Sequence, residues 1–147
     1  MDSVQAIVKQ ITVNRPPEEA FKIWVEGLGS WWPFEGHSIG DERVVGAVFE
    51  PKAGGRVYEV WDDGQERDWA DVIAYEPPNR FVLAWRPNPN RPAPTEVEVR
   101  FVASGTGTRL ELEHRGWERL GAEGQEVRDN YDSGWPRMLS LFEEAAA

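Results

Sequence analysis

A run of short alternating segments separated by turn sequences occupies the middle of this chain and constrains its fold more than any other feature. In residues 95–103 and 108–114, apolar and charged residues alternate on either side of a Gly-Thr-Gly turn. Alternation with a period of two predicts strands, and short glycine turns join antiparallel neighbours. The middle of the chain is therefore predicted to form a meander of β-hairpins.

Seven strands and two short helical segments are predicted before the last element of the chain. The strands are residues 4–13, 44–50, 56–61, 67–75, 80–85, 95–103 and 108–114. After the first strand, Pro16 and Pro17 followed by two acidic residues predict a helix start, and Gly27 ends that helix. Residues 28–36 predict a short second helix or turn ended by Pro33. The loop at residues 87–94 contains four prolines.

The last predicted element is an amphipathic helix at residues 124–146. Its apolar residues recur at steps of three and four: Tyr131, Trp135, Met138, Leu139 and Phe142. Pro136 lacks the backbone donor that a helix interior needs, so we expect the helix to bend or restart there. Only this helix is long enough to cover the apolar face of the sheet. The predicted fold class is α+β, with a curled antiparallel sheet wrapped around the C-terminal helix.

Composition excludes several classes of function. The chain has 147 residues, no cysteine and a net charge of −10, which together predict a single domain at 1–147 without disulfides or thiolate chemistry. An acidic chain is a poor partner for nucleic acid or an anionic membrane. The two histidines lack a metal-ligand spacing, and the glycine turns precede strands rather than helices. We expect no metal, flavin or nucleotide cofactor, and a cytoplasmic location without a secretory signal.

Tryptophan is unusually abundant, with eight residues spread over nearly every predicted element. A large flat side chain with one N–H suits an apolar wall that also places a hydrogen bond. The indoles therefore enclose either a very aromatic core or a hollow apolar chamber, and the sequence leaves both open.

Several strings of residues carry a resemblance to a known family. They include residues 17–24, the Trp31-Trp32 pair, 54–59, 76–85, 108–114 and Gly134-Trp135-Pro136. In this order they resemble the SRPBCC superfamily (START and Bet v 1-like, helix-grip), and within it the C-terminal domain of the activator of Hsp90 ATPase. The resemblance implies a curled sheet of six to seven strands around a long terminal helix, with two short helices after the first strand.

The resemblance also implies a cavity between the sheet and the terminal helix. The candidates to line it are Trp24, Trp31, Trp32, Tyr58, Trp61, Trp69, Trp85, His114, Trp135 and Met138. Indole N–H groups and the Tyr58 hydroxyl are expected to supply its polar contacts. His114 is a ligand contact or general base, or else a locally paired histidine. His37 lies in a predicted loop.

Three functions remain open on these residues. The first is non-catalytic binding of a small hydrophobic or aromatic molecule. The second is a protein-interaction module that regulates a chaperone and meets a partner with a basic surface, as in a stress response. The third is an enzyme of the polyketide cyclase or aromatase kind, although no nucleophile motif or catalytic constellation is present.

Overall fold

The computed structural model describes residues 4–147, which form one seven-stranded antiparallel sheet and three α-helices. The strands are β1 (Ile7–Val13), β2 (Val44–Phe49), β3 (Arg56–Trp61), β4 (Glu66–Glu76), β5 (Arg80–Trp85), β6 (Thr95–Ser104) and β7 (Gly107–Arg115). The helices are α1 (Pro17–Val25), α2 (Leu28–Trp31) and α3 (Gly124–Ala145). Short 3-10 turns lie at Asp41–Arg43 and Trp117–Glu123.

The strand order confirms the predicted hairpin meander. The order across the sheet is β1-β7-β6-β5-β4-β3-β2, so consecutive strands pair with each other from β2 to β7. β1 joins the far edge by pairing with β7, with Ile7 opposite His114 and Val13 opposite Thr108. Gly107 lies so close to the Val13 carbonyl oxygen that a Cβ at that position would collide with it. The α+β helix-grip architecture is confirmed.

Helix α3 lies against the sheet through the apolar stripe that the sequence predicts. Trp135, Met138 and Phe142 are buried, whereas Pro136 is exposed on the other side of the helix. The helix continues through Pro136 to Ala145, so of the expected bend or restart, the restart does not occur. The stripe packs on both sides of the proline, and this tertiary packing outweighs one lost backbone hydrogen bond.

One end of the space between α3 and the sheet is filled with aromatic rings. Trp24 of α1 packs against Trp31 with ring centroids 4.8 Å apart and against Phe142 at 5.1 Å. Phe21 packs edge-on against Phe101 at 5.1 Å. Edge-to-face packing of this kind adds to the hydrophobic stabilisation of a core. This end of the interior is solid, so any ligand-sized space lies towards the other end.

Candidate ligand-binding cavity

A cavity of about 460 Å³ opens at the end of the interior away from α1. Its walls come from α3, from β4 and β5, from the segment after α2 and from the proline-rich loop after β5. The lining residues are Trp32, Gly36, His37, Ser38, Ile39, Trp69, Trp85, Pro87, Asn88, Pro89, Asn130, Tyr131, Gly134 and Met138. Sites for small organic ligands usually have volumes of about 300–1,000 Å³ and mostly apolar walls.

Three indole rings form the inner wall of this cavity. Trp32 follows α2, Trp69 lies on β4 and Trp85 ends β5. Their ring centroids are 5.0 Å apart for Trp32 and Trp69, 6.1 Å for Trp32 and Trp85, and 6.0 Å for Trp69 and Trp85. β4 and β5 are neighbours in the sheet, so strand pairing brings two of the indoles together. The result is a continuous aromatic surface.

The N–H groups of these indoles bind protein atoms rather than the cavity. Trp32 donates to the His37 carbonyl oxygen at 2.9 Å, and Trp69 donates to Glu59 Oε1 at 2.6 Å. Trp85 donates to the Tyr131 hydroxyl at 2.9 Å. The expectation that indole N–H groups supply the polar contacts of the cavity is therefore corrected. The rings contribute apolar faces, and their orientation is fixed by internal hydrogen bonds.

The polar contacts of the cavity come from α3 and the two loops. Burial raises the pKa of the Tyr131 hydroxyl despite the hydrogen bond from Trp85. Within residues 4–147 this hydroxyl accepts from Trp85 and has no acceptor for its own proton. Asn88 and Asn130 are exposed residues of the lining. A ligand carbonyl or hydroxyl on the side facing Tyr131 would therefore meet a neutral donor.

Behind the aromatic wall lies a fully buried carboxylate, Glu59. It accepts hydrogen bonds from the backbone N–H groups of Ile39 and Gly40, both at 2.8 Å. It also accepts from the indoles of Trp61 at 2.7 Å and Trp69 at 2.6 Å. A buried carboxylate needs such donors to offset the loss of its hydration. Glu59 thus holds both the Trp69 wall and the adjoining loop.

His114 is also fully buried, and it belongs to a structural network behind the cavity. Its Nδ1 accepts from the Trp135 indole at 3.1 Å, so Nε2 carries the proton and contacts Thr95 Oγ1 at 2.7 Å. Burial lowers the pKa of His114 to about 3, which keeps the ring neutral. His114 does not line the cavity. Local pairing, the second of the two interpretations of this residue, describes its surroundings.

The ten candidate residues fall into two groups. Trp32, Trp69, Trp85 and Met138 line the cavity, and the other six do not. Trp24 and Trp31 are in the filled core, and Trp135 is buried beside His114.

The last two candidates lie on β3, away from the cavity. The Tyr58 ring is on the outer face of the strand, where the Arg56 guanidinium covers it at 4.0 Å. The Trp61 ring lies near the edge, between Arg43 at 4.3 Å and Arg67 at 4.2 Å. Strand alternation places Tyr58 opposite the inward-facing Val57 and Glu59.

Several lining residues were not among the candidates. Tyr131 and Gly134 occupy the same helix face as Met138, so the helical spacing alone could have included them. His37 and Ile39 belong to a loop whose position depends on Glu59, and no local pattern indicates it. Glu59 lies on the inward side of β3 together with Val57. This strand alternation is the sequence signal that could have identified Glu59 as an inward-facing residue.

Two wider searches of residues 4–147 bear on the class of site. No three His, Cys, Asp or Glu side chains in this part of the chain are grouped so that they could hold a metal ion. None of its helices is both long and apolar enough to cross a membrane.

A comparison with known families identifies the family of this chain. The model of the family described as activator of Hsp90 ATPase homolog 1-like protein matches residues 14–147. The chain belongs to this family. No curated protein matches the chain by sequence at a significant level.

Among solved structures, two similar proteins are informative. CalC from Micromonospora echinospora, described as a self-sacrificing resistance protein, is 31% identical, with a TM-score of 0.70, over 95% of this chain and 92% of CalC. Txn09, described as an anthrahydroquino-γ-pyrone synthase, is 29% identical, with a TM-score of 0.67, over 99% of both chains. The Aha1 dimer from Colwellia psychrerythraea shares the fold alone, at 16% identity over 97% and 96% of the chains, with a TM-score of 0.70.

Proposed function

We propose that this family member binds a planar aromatic small molecule in the indole-walled cavity, without catalysing a reaction. The observation that carries the proposal is the open cavity of about 460 Å³ lined by Trp32, Trp69 and Trp85. Flat ring systems gain both apolar burial and favourable stacking or edge contacts against indole faces. We further propose that the protein acts in the cytoplasm, in keeping with its lack of cysteine.

The polar groups favour a ligand with an oxygen on one edge. The Tyr131 hydroxyl lies beside the indole wall, 2.9 Å from the Trp85 N–H, and Asn88 also belongs to the lining. A fused-ring ketone, quinone or phenol matches this combination of apolar faces and polar groups. Txn09 is 29% identical to this chain, and its name refers to a compound of this polycyclic class. This similarity supports the proposal.

A cyclase-like activity is the second candidate, and the similarity to Txn09 is the observation that favours it. The residues of the cavity support binding better than proton transfer. His114 is neutral and outside the cavity, and the raised pKa of Tyr131 keeps its proton bound. A chaperone-regulating interaction would rest on the family alone, since the Aha1 likeness is one of fold.

The proposal is tested by titrating the protein with anthraquinone and following both tryptophan emission and heat of binding. We expect saturable binding at one site, with palmitate as a flexible apolar comparison that binds more weakly. At a hundredfold excess over Kd, such a ligand stabilises the native state by about 2.7 kcal/mol. Absence of saturable binding by any fused-ring ketone or phenol would contradict the proposal.

A variant that fills the cavity gives the matching control. Gly134 borders the cavity on α3, where an added Cβ would meet only side chains, the nearest being the His37 ring at 3.4 Å. Gly134→Leu should block binding while retaining the fold, because leucine favours a helix more than glycine. Ser140→Leu lies on the exposed side of the same helix and should bind as the wild type does.

A further inference from the structure

A second, smaller chamber lies beside the main cavity, under the proline-rich loop. It has a volume of about 90 Å³ and shares Trp85 and Tyr131 with the main cavity. The hydrogen bond from Trp85 to the Tyr131 hydroxyl, at 2.9 Å, therefore lies at the boundary between the two spaces. We call this second space the side chamber. The two spaces therefore adjoin each other at Trp85 and Tyr131.

The size of the side chamber limits what it can hold. A water molecule has a share of liquid volume of about 30 Å³. A chamber of about 90 Å³ therefore holds the equivalent of three waters or a substituent of a few heavy atoms. An aromatic ring needs more space than this. The side chamber fits a short substituent of a ligand whose rings remain in the main cavity.

The charges around the side chamber differ from those of the protein as a whole. The chain has a net charge of −10, yet two arginines, Arg86 and Arg91, border this small space. Arg91 is partly buried and is held by Glu123, which leaves other N–H groups of its guanidinium able to donate. Among the ion pairs of residues 4–147, Arg86 has no carboxylate partner.

The remaining walls of the side chamber include one polar and one aromatic side chain. Thr95 lines the side chamber, and its hydroxyl is hydrogen-bonded to His114 Nε2 at 2.7 Å. Trp117 also lines the side chamber and donates its N–H to the His114 carbonyl oxygen at 2.9 Å. Glu123, the carboxylate that faces Arg91, is 65% exposed at its side chain and can turn towards solvent. A ligand anion can therefore approach Arg91 without a buried carboxylate opposing it.

We propose that the ligand of the main cavity is an aromatic acid, whose short carboxylate substituent enters the side chamber and pairs with Arg91 and Arg86. This inference rests on the proposed function and deepens it by naming the chemical class of the ligand. Guanidinium groups bind carboxylates through charge-assisted hydrogen bonds, which are stronger than neutral ones. The two arginines would also favour the anion over neutral compounds of the same shape.

The test compares anthraquinone carboxylate with its primary carboxamide, a neutral molecule of nearly the same shape, by calorimetric titration. On the wild type, the carboxylate should bind roughly tenfold more tightly than the carboxamide, as expected for hydrogen bonds to a charged group. Arg91→Met and Arg86→Met should each reduce carboxylate affinity and leave carboxamide affinity nearly unchanged. Arg137→Met, on an exposed arginine of α3 outside both spaces, should change neither.

The outcomes separate the two proposals. Equal affinity of the two compounds for the wild type would overturn the aromatic-acid inference and leave the proposed function standing. The same holds if Arg91→Met and Arg86→Met weaken both compounds equally, since the effect would then be one of shape. Failure of both compounds, and of anthraquinone itself, to bind would overturn the proposed function together with the inference.

Discussion

The carboxylate of Glu59 and the indole of Trp69 are joined by a hydrogen bond of 2.6 Å behind the wall of the main cavity. The Trp69 ring lines the cavity, so this bond fixes the orientation of a wall. The same carboxylate also binds the backbone N–H groups of Ile39 and Gly40. One buried acidic residue thus holds two separate walls of the site in place.

Replacement of Glu59 should destabilise the protein strongly. Glu59→Leu leaves four donors without an acceptor, and we expect the free energy of unfolding to fall by at least about 3 kcal/mol. Glu59→Gln should lie between this variant and the wild type, because the amide keeps one acceptor oxygen. Urea unfolding followed by tryptophan emission measures both variants.

Glu66 provides the matched control for Glu59. It is an exposed carboxylate on the neighbouring strand, paired with Arg56 at 2.9 Å. Exposed ion pairs contribute little, so Glu66→Gln should change stability by less than about 1 kcal/mol. If Glu59→Leu were as stable as Glu66→Gln, the role assigned to the buried carboxylate would be wrong.

The stability of the protein should fall in mild acid because of His114. Burial lowers the pKa of His114 to about 3 in the native state, whereas an unfolded histidine titrates near about 6.5. Below the pKa of the unfolded histidine, the unfolded chain binds more protons than the native state. The contribution of His114 to the free energy of unfolding is therefore complete only above that pH. It is lost progressively as the pH falls towards the native value. At pH 5 the loss is about 2 kcal/mol.

The measurement compares unfolding of the wild type and His114→Gln at pH 7 and pH 5. Glutamine does not titrate, so the variant should lose about 2 kcal/mol less than the wild type between the two pH values. Both proteins share every other titrating group, so the contributions of those groups to the pH dependence cancel in the comparison. Identical pH dependence of the two would show that His114 is not held neutral by burial.

Loss of the Tyr131 hydroxyl should weaken ligands that carry a carbonyl group. Tyr131→Phe removes a neutral donor from the lining of the cavity, and a neutral hydrogen bond contributes about 1 kcal/mol, or roughly fivefold in affinity. Anthraquinone should lose this factor, whereas anthracene, which has no carbonyl, should bind nearly as before. Tyr58→Phe, on the outer face of β3, is the control. An equal loss for both ligands would indicate a change of cavity shape instead.

The sequence predicts the fold well because its signals are local and repeated. Alternation, glycine turns and the stripe on α3 each follow from neighbouring residues, and the strand order confirms them. The predicted strand at residues 67–75 is one residue shorter at each end than Glu66–Glu76, since strand ends lack distinct local signals. Pro136 does not divide the helix, because packing on both sides of it holds the helix together.

The site is less predictable because it depends on contacts between distant residues. Trp24 and Trp69 are both buried indoles, and only the packing of α1 against α3 decides that the first fills the core. Glu59 is one of 26 acidic residues in a chain where most face solvent. Its role depends on two indoles and a loop that the fold brings together. Alternation along β3 places it on the inward side with Val57, but its partners cannot be identified from the sequence.

The central claim, that aromatic ligands bind between Trp32, Trp69 and Trp85, is tested most directly by NMR of the eight indole N–H groups. Tryptophan-to-phenylalanine variants assign the signals, which are then followed during titration with anthraquinone. We predict saturable shifts of Trp32, Trp69 and Trp85, with little change at Trp31 in the filled core. Saturable shifts confined to Trp61 at the sheet edge, or no saturable shift of any indole, would contradict the account.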